Sequence, residues 1–203
     1  MNREKVYFMK NISTSGLLKC FLCSLVFLTF TQLSSQPMDR QQLRDCFLRS
    51  IQRKSSLNSF ISRLEKIVVK SPAQECYYGI CFGLRTHYVD GIWSKIKLVN
   101  KAKDLLDHSI ERDPSDPELR FIRLTLEHFL PAFLGMSKDI QKDLAVIFAQ
   151  PVFVADSPPL KKKALEFLLA THRCSFEQNK ILQLQLAELN KAQRPELAVL
   201  NVR

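Results

Sequence analysis

The chain has 203 residues, of which 46% are hydrophobic and 25% charged, and this balance excludes an intrinsically disordered protein. It contains 5 glycines beside 14 phenylalanines, and so few glycines disfavour the turns and phosphate-binding loops of sheet-based nucleotide-binding folds. The formal net charge of +10 favours contact with anionic surfaces. Basic and acidic residues interleave, however, and no nucleic-acid recognition motif accompanies them, so we expect no nucleic-acid partner.

Residues 1–35 have the organisation of a signal peptide. Basic residues precede an uncharged apolar run at 20–30, which is shorter than the roughly 20 residues that a membrane-spanning helix needs. The small residues Ser34 and Ser35 follow the run, and we predict cleavage after Ser35. The mature protein would then be exported to the periplasm or the cell envelope. Because the basic segment is long, an uncleaved N-terminal anchor is the alternative.

In the rest of the chain, apolar residues recur at intervals of three and four, which predicts a single all-α domain over residues 36–203. Ser-Pro and Asp-Pro pairs mark several helix starts, since Ser or Asp caps a helix and Pro suits its first position. An irregular stretch at 150–159 can hold an extended segment at 152–154, and Pro195 is expected to end the last helix. The expected helices cover residues 38–53, 56–68, 72–88, 94–112, 117–130, 138–148, 158–170 and 176–192.

The helix at 117–130 is apolar over most of its circumference, which predicts that it lies at the centre of the fold. Its polar residues Arg120, Arg123 and Glu127 form one narrow stripe. In the structural interpretation, Arg123 pairs with Glu127 and Arg120 pairs with Glu118 or with a carboxylate of a neighbouring helix. In the functional interpretation, the two guanidinium groups bind a carboxylate or an acidic peptide. The candidate binding residues are therefore Arg120, Arg123, Glu127 and His128.

Residues 99–130 resemble the junction between two tetratricopeptide repeats. In that family, small and apolar residues of one helix precede a turn with proline, and aromatic, leucine and small residues follow in the next helix. The first helix and the turn match at Ala102, Leu106, Ser109 and Asp113-Pro114. The next helix matches at Phe121, Leu124-Thr125 and His128. The turn is one residue longer than in the family, and Ser109 replaces the usual alanine. The resemblance implies a stack of helical hairpins, with a tetratricopeptide-like segment at about 72–148.

A wider stretch, residues 78–143, is similar to a group of uncharacterised exported proteins from Bacteroidetes, at positions 78–80, 110–114, 118–123, 130–135 and 143. Gln36 follows the small residues of the predicted cleavage site, and this is similar to cleavage sites common in that phylum. The resemblance implies a source and an envelope location but no activity.

The cysteines and histidines give no strong indication of chemistry. Four cysteines follow the predicted signal peptide, a number compatible with two disulfides in an oxidising compartment, but their helical context favours buried thiols; they are Cys46, Cys76, Cys81 and Cys174. The four histidines form no HExxH motif and no i,i+4 pair. We therefore expect no metal and no cofactor.

These observations favour a non-enzymatic interaction scaffold of the cell envelope that binds a peptide or protein partner. One alternative is an enzyme with an unfamiliar helical active site, and another is a membrane-associated structural protein held by an uncleaved N-terminus. Lys161, Lys162 and Lys163 lie in the first turn of a predicted helix, where the helix dipole disfavours cations. They indicate either contact with an anionic envelope surface or a solvated run of charge.

Overall fold

The computed structural model describes residues 38–131, 138–149 and 157–200, with the main chain alone over 193–200. Within these ranges the chain is all-helical, without strands, which confirms the predicted all-α character. The predicted signal peptide and the extended segment at 152–154 lie outside the described residues. The elements are α1 (Arg40–Gln52), α2 (Lys54–Glu65), α3 (Pro72–Arg85), a short 3-10 helix (Thr86–Tyr88), α4 (Ile92–Arg112), α5 (Pro117–Phe129), α6 (Ile140–Ala149), α7 (Pro158–Ala170) and α8 (Phe176–Leu200).

Side-chain caps fix the starts of several helices. Asp39 begins α1 and Ser71 begins α3, each in a capping box with the residue three positions later. Asp116 accepts the amide of Glu118 at 2.8 Å and so caps α5. The predicted starts at Ser71-Pro72 and Asp116-Pro117 are therefore confirmed. None of the described helices combines the length and apolar character that crossing a bilayer requires.

Consecutive helices pack in pairs, α1 with α2, α3 with α4, α5 with α6, and α7 with α8. The α3–α4 pair is especially close at Gly79. A β-carbon added there would lie 3.0 Å from Cβ of Leu105 and 3.2 Å from the carbonyl oxygen of Ala102. Ala102 itself is fully buried. Small residues on both helices therefore allow the two main chains to approach.

Helix α5 supplies much of the core, as its apolar circumference predicts. Five of its apolar side chains are buried, namely Leu119, Phe121, Ile122, Leu124 and Leu126. Phe129 differs from the prediction, because this last residue of α5 is 75% exposed. The second predicted helix extends to residue 68, but α2 ends at Glu65, and Val68 beyond it is 96% exposed. Helix α8 continues past Pro195, which the sequence predicts as its end.

Candidate functional site

The polar stripe of α5 faces α6 and forms ion pairs with it. Arg123 donates from Nε to Oδ2 of Asp143 at 2.9 Å and from Nη2 to Oδ1 at 2.6 Å. Arg120 donates from Nη1 to Oδ1 of the same carboxylate at 3.2 Å. Asp143 is fully buried. A buried carboxylate held by two guanidinium groups is a well-paired charge, as burial requires.

Lys103 extends this ion-pair network to α4. Its Nζ lies 3.1 Å from Oε1 of Glu127, 3.2 Å from Oδ2 of Asp107 and 3.8 Å from Oδ2 of Asp139. Arg123 also reaches Asp107, at 2.9 Å. Burial raises the pKa of Glu127, and the neighbouring Lys103 opposes that shift. The network therefore joins α4, α5 and α6 through alternating charges.

Three of the candidate binding residues, Arg120, Arg123 and Glu127, lie in this network. Arg120 pairs with a carboxylate of a neighbouring helix, which is one of the two structural alternatives predicted for it. Arg123 differs from its prediction, because it pairs with Asp143 and Asp107, whereas Glu127 pairs with Lys103. The side chains of Arg120 and Arg123 are only 14% and 7% exposed. Their use in binding a partner stays a prediction that these contacts do not test.

The fourth predicted residue, His128, lies apart from the ion pairs. Its ring packs edge-on against Phe129 at 5.1 Å and against Phe167 at 5.3 Å between ring centroids. Its Nδ1 atom is buried and has no hydrogen-bond partner among the described residues. Burial lowers the pKa of His128, and the charge of Arg173 lowers it further. The histidine therefore sits in an aromatic environment that favours its neutral form.

A second buried ion cluster joins α1 to the start of α5, and the sequence analysis did not find it. Arg44 donates from Nη2 to Oε2 of Glu118 at 2.7 Å, and the hydroxyl of Tyr77 donates to the same carboxylate. Arg44 and Glu118 are both buried, whereas Arg40 closes the cluster from a more exposed position. The partners are distant in sequence, so the pattern around Arg40 and Arg44 does not indicate Glu118. From the sequence, both arginines have the spacing of ordinary exposed residues on a helix.

An apolar cavity of about 710 Å³ opens between α1, α3, α5 and α7. Its walls are mainly aliphatic and aromatic side chains, among them Phe47, Ile51, Ile80, Val99, Phe121, Leu126, Phe129, Leu160 and Phe167. Polar groups on its lining come from Thr86, His87, Thr125, Lys163 and Glu166. Two of the apolar lining residues also face solvent, since Ile51 is 47% exposed and Phe129 is 75% exposed.

Helical periodicity does not predict this cavity, because it shows which apolar residues point inward but not whether other side chains fill the space in front of them. Phe121 and Leu126 were predicted as core, and they are buried, yet both line open space. Phe129 at the end of α5 departs from the predicted burial of this helix, and its exposed ring lies at the cavity.

The four cysteines in the described residues are free thiols, so the two-disulfide alternative is not what the structure has. Cys46, Cys76 and Cys81 are buried, in agreement with their interpretation as small apolar residues of helices. Burial raises the pKa of the Cys76 and Cys81 thiols. These thiols are therefore held protonated inside the core.

Comparisons with protein-family models, curated proteins and solved structures found no match for this chain. The similarity to tetratricopeptide repeats and to exported Bacteroidetes proteins therefore stays a prediction from the sequence. The functional interpretation rests on the cavity, the ion pairs and the exposed surfaces of the described residues.

Proposed function

We propose that this protein is a non-enzymatic interaction protein, and that it binds an apolar segment of a peptide or protein partner in the cavity between α1, α3, α5 and α7. The observation that carries the proposal is the cavity itself, about 710 Å³ in volume and walled by aliphatic and aromatic side chains. Binding pockets in proteins commonly measure about 300–1,000 Å³ and combine apolar walls with a few polar groups.

The lining of the cavity suits a peptide segment. Ile51 and Phe129 present apolar surface to solvent, and exposed apolar surface next to a cavity is typical of interaction sites. Lys163 and Glu166 place opposite charges one helical turn apart on α7. An amphipathic helix can insert its apolar anchors into such a groove while its polar face meets the charges.

In this proposal the partner does not contact Arg120 or Arg123. Both guanidinium groups already pair with the buried carboxylate of Asp143. Binding an acidic peptide through them would require breaking these pairs, and an unpaired buried charge costs several kcal/mol, roughly 3–5. The cavity requires no such exchange.

The proposed setting is a stack of tetratricopeptide-like hairpins over about 72–148, exported to the cell envelope after cleavage behind Ser35. The pairing of consecutive helices and the close approach at Gly79 support the hairpin arrangement. In stacked hairpins, neighbouring repeats form a continuous scaffold that presents one binding surface.

A second candidate function is the binding of a small apolar molecule. The volume of the cavity favours it, because about 710 Å³ is within the range of pockets that enclose such ligands. Native mass spectrometry of the protein from its own host distinguishes the two functions, since a stored small molecule adds a discrete mass.

The test is to select helical peptides from a random library on the purified protein and to measure their affinity by calorimetry. The variant Ile51→Glu with Phe129→Glu puts charges beside the cavity and should weaken binding at least about thirtyfold, as for loss of binding hot spots. The matched control is Phe176→Glu with Leu184→Glu, since these residues are 80% and 58% exposed and do not line the cavity. Equal affinities for the two variants would reject the cavity as the peptide site.

A further inference from the structure

A group of exposed apolar side chains lies where α4 begins. Ile92 is 63% exposed and Trp93 is 81% exposed, and Tyr88 in the preceding 3-10 helix is 39% exposed. We call Tyr88, Ile92, Trp93, Lys95 and Lys97 the Trp93 patch. None of these five residues lines the cavity between α1, α3, α5 and α7. Contiguous exposed apolar residues with a polar surround mark interaction surfaces.

Lysines accompany these apolar residues. Lys95 and Lys97 are exposed in the first two turns of α4, and Lys54 of α2 places its Nζ 5.5 Å from the ring centroid of Tyr88. Trp93 and Lys97 are four residues apart and so share one face of the helix. Ile92 and Lys95 are likewise three residues apart, so each exposed apolar side chain of α4 in the patch has a lysine beside it along the helix.

The order of charges along α4 opposes helix stability. Its first turn has no acidic residue, and its N-cap, Gly91, makes no side-chain capping bond. The acidic residues Asp104, Asp107 and Glu111 all fall in its second half. The helix dipole favours the reverse order, with carboxylates first and lysines last. An exposed carboxylate, Asp90, precedes Gly91, but Lys95 and Lys97 themselves lie where the helix dipole disfavours cations. Contact with an anionic partner would account for their position.

We propose that the Trp93 patch docks on an anionic phospholipid bilayer. Trp93 and Ile92 enter the boundary between headgroups and acyl chains, and Lys95 and Lys97 lie at the level of the lipid phosphates. Tryptophan and tyrosine favour this boundary because one end of each ring is polar. Each lysine close to an anionic membrane surface strengthens binding by about fivefold.

The alternative partner for a basic surface is an acidic protein. Carboxylates would account for Lys95 and Lys97, but they leave two large apolar side chains, Ile92 and Trp93, exposed at the same edge. A bilayer accounts for both features together, because amphipathic surfaces bind lipid through apolar insertion and electrostatic attraction at once.

The first measurement uses the fluorescence of the full chain, in which Trp93 is the single tryptophan. With vesicles of phosphatidylcholine and phosphatidylglycerol, we expect a blue shift of its emission and quenching by brominated acyl chains. With phosphatidylcholine alone, or at high salt, both effects should be much smaller. Because the signal comes from Trp93, a membrane contact elsewhere in the chain does not reproduce it.

The second measurement is co-sedimentation with the same vesicles. Lys95→Gln with Lys97→Gln should weaken binding about twenty-five-fold, from two fivefold factors. The control, Lys180→Gln with Lys191→Gln, removes the same charge from exposed positions on α8 and should leave binding unchanged. Trp93→Ser should weaken binding and leave the circular-dichroism melt unchanged, since this side chain is 81% exposed.

Three results would overturn the proposal. One is an emission maximum that does not respond to phosphatidylglycerol vesicles. Another is binding that is lost in Lys161→Gln with Lys162→Gln but kept in Lys95→Gln with Lys97→Gln, which would assign the contact to α7. The last is a blue shift that polyglutamate or self-association produces and vesicles do not, which would assign the patch to a protein partner.

Discussion

Arg123 of α5 and Asp143 of α6 form a two-point ion pair, with 2.9 Å from Nε to Oδ2 and 2.6 Å from Nη2 to Oδ1. Both residues are buried. A pair of this geometry favours one relative position of the two helices, because the flat guanidinium group matches the carboxylate at both contacts. We therefore assign the pair to fixing the register of α5 against α6.

Removing one partner should be costly. Asp143→Ala leaves the Arg123 guanidinium buried without this carboxylate, and we expect the free energy of unfolding to fall by about 3–5 kcal/mol. Urea unfolding followed by circular dichroism measures it. The control is Lys142→Gln, whose side chain is 75% exposed in the same network and whose loss should cost at most about 1 kcal/mol. A value for Asp143→Ala as small as the control's would refute the assignment.

The local part of this fold was predictable from the sequence. Ser71-Pro72 and Asp116-Pro117 signal their helix starts within a few residues, since a cap is a contact with the amides of the next turn. The burial of α5 was also predictable, because its apolar residues cover most of the helix.

The ion pairs and the cavity were not predictable in the same way. Periodicity indicates that Arg120, Arg123 and Glu127 share a face, but it does not tell whether that face meets water or another helix. Asp143 lies 20 residues beyond Arg123, and only the packing of α6 brings them together. The cavity depends on the relative positions of four helices, and the sequence pattern of one helix does not show how it packs against the other three.

Phe121 should be among the residues on which stability depends most. It is buried on α5 and contacts Phe167 of α7 edge-on, with 5.8 Å between ring centroids. We expect Phe121→Ala to lower the free energy of unfolding by about 3–5 kcal/mol, as for other large core truncations. Phe129→Ala is the control on the same helix, since Phe129 is 75% exposed. A similar change in melting temperature for both variants would contradict the placement of Phe121.

The cysteines should differ in their reactivity. Cys76 and Cys81 are buried with raised thiol pKa values, and the thiolate is the reactive form. Cys174 is partly exposed, although burial also raises its pKa. We expect iodoacetamide to modify Cys174 well before Cys76 and Cys81, which should react only after unfolding. Peptide mass spectrometry after timed alkylation gives the order, and early labelling of Cys81 in the folded protein would contradict it.

His128 should make the protein less stable in mild acid. Burial, followed by the charge of Arg173, lowers the pKa of His128 below its ordinary value of 6.5. As the pH falls, the unfolded chain therefore binds a proton at this residue before the folded protein does. The free energy of unfolding decreases through that interval, and the loss is complete once the folded protein is protonated as well.

The prediction is tested by comparing His128→Leu with the wild-type protein in urea unfolding at a series of pH values from about 7.5 to about 5. The difference between their free energies of unfolding should shift in favour of the variant as the pH falls, because leucine does not titrate. Phe176→Leu is the control, since Phe176 is 80% exposed and carries no titratable group, and its replacement should leave the pH dependence of the wild-type protein in place. A difference between His128→Leu and wild type that is the same at every pH would show that His128 does not titrate differently in the folded and unfolded states.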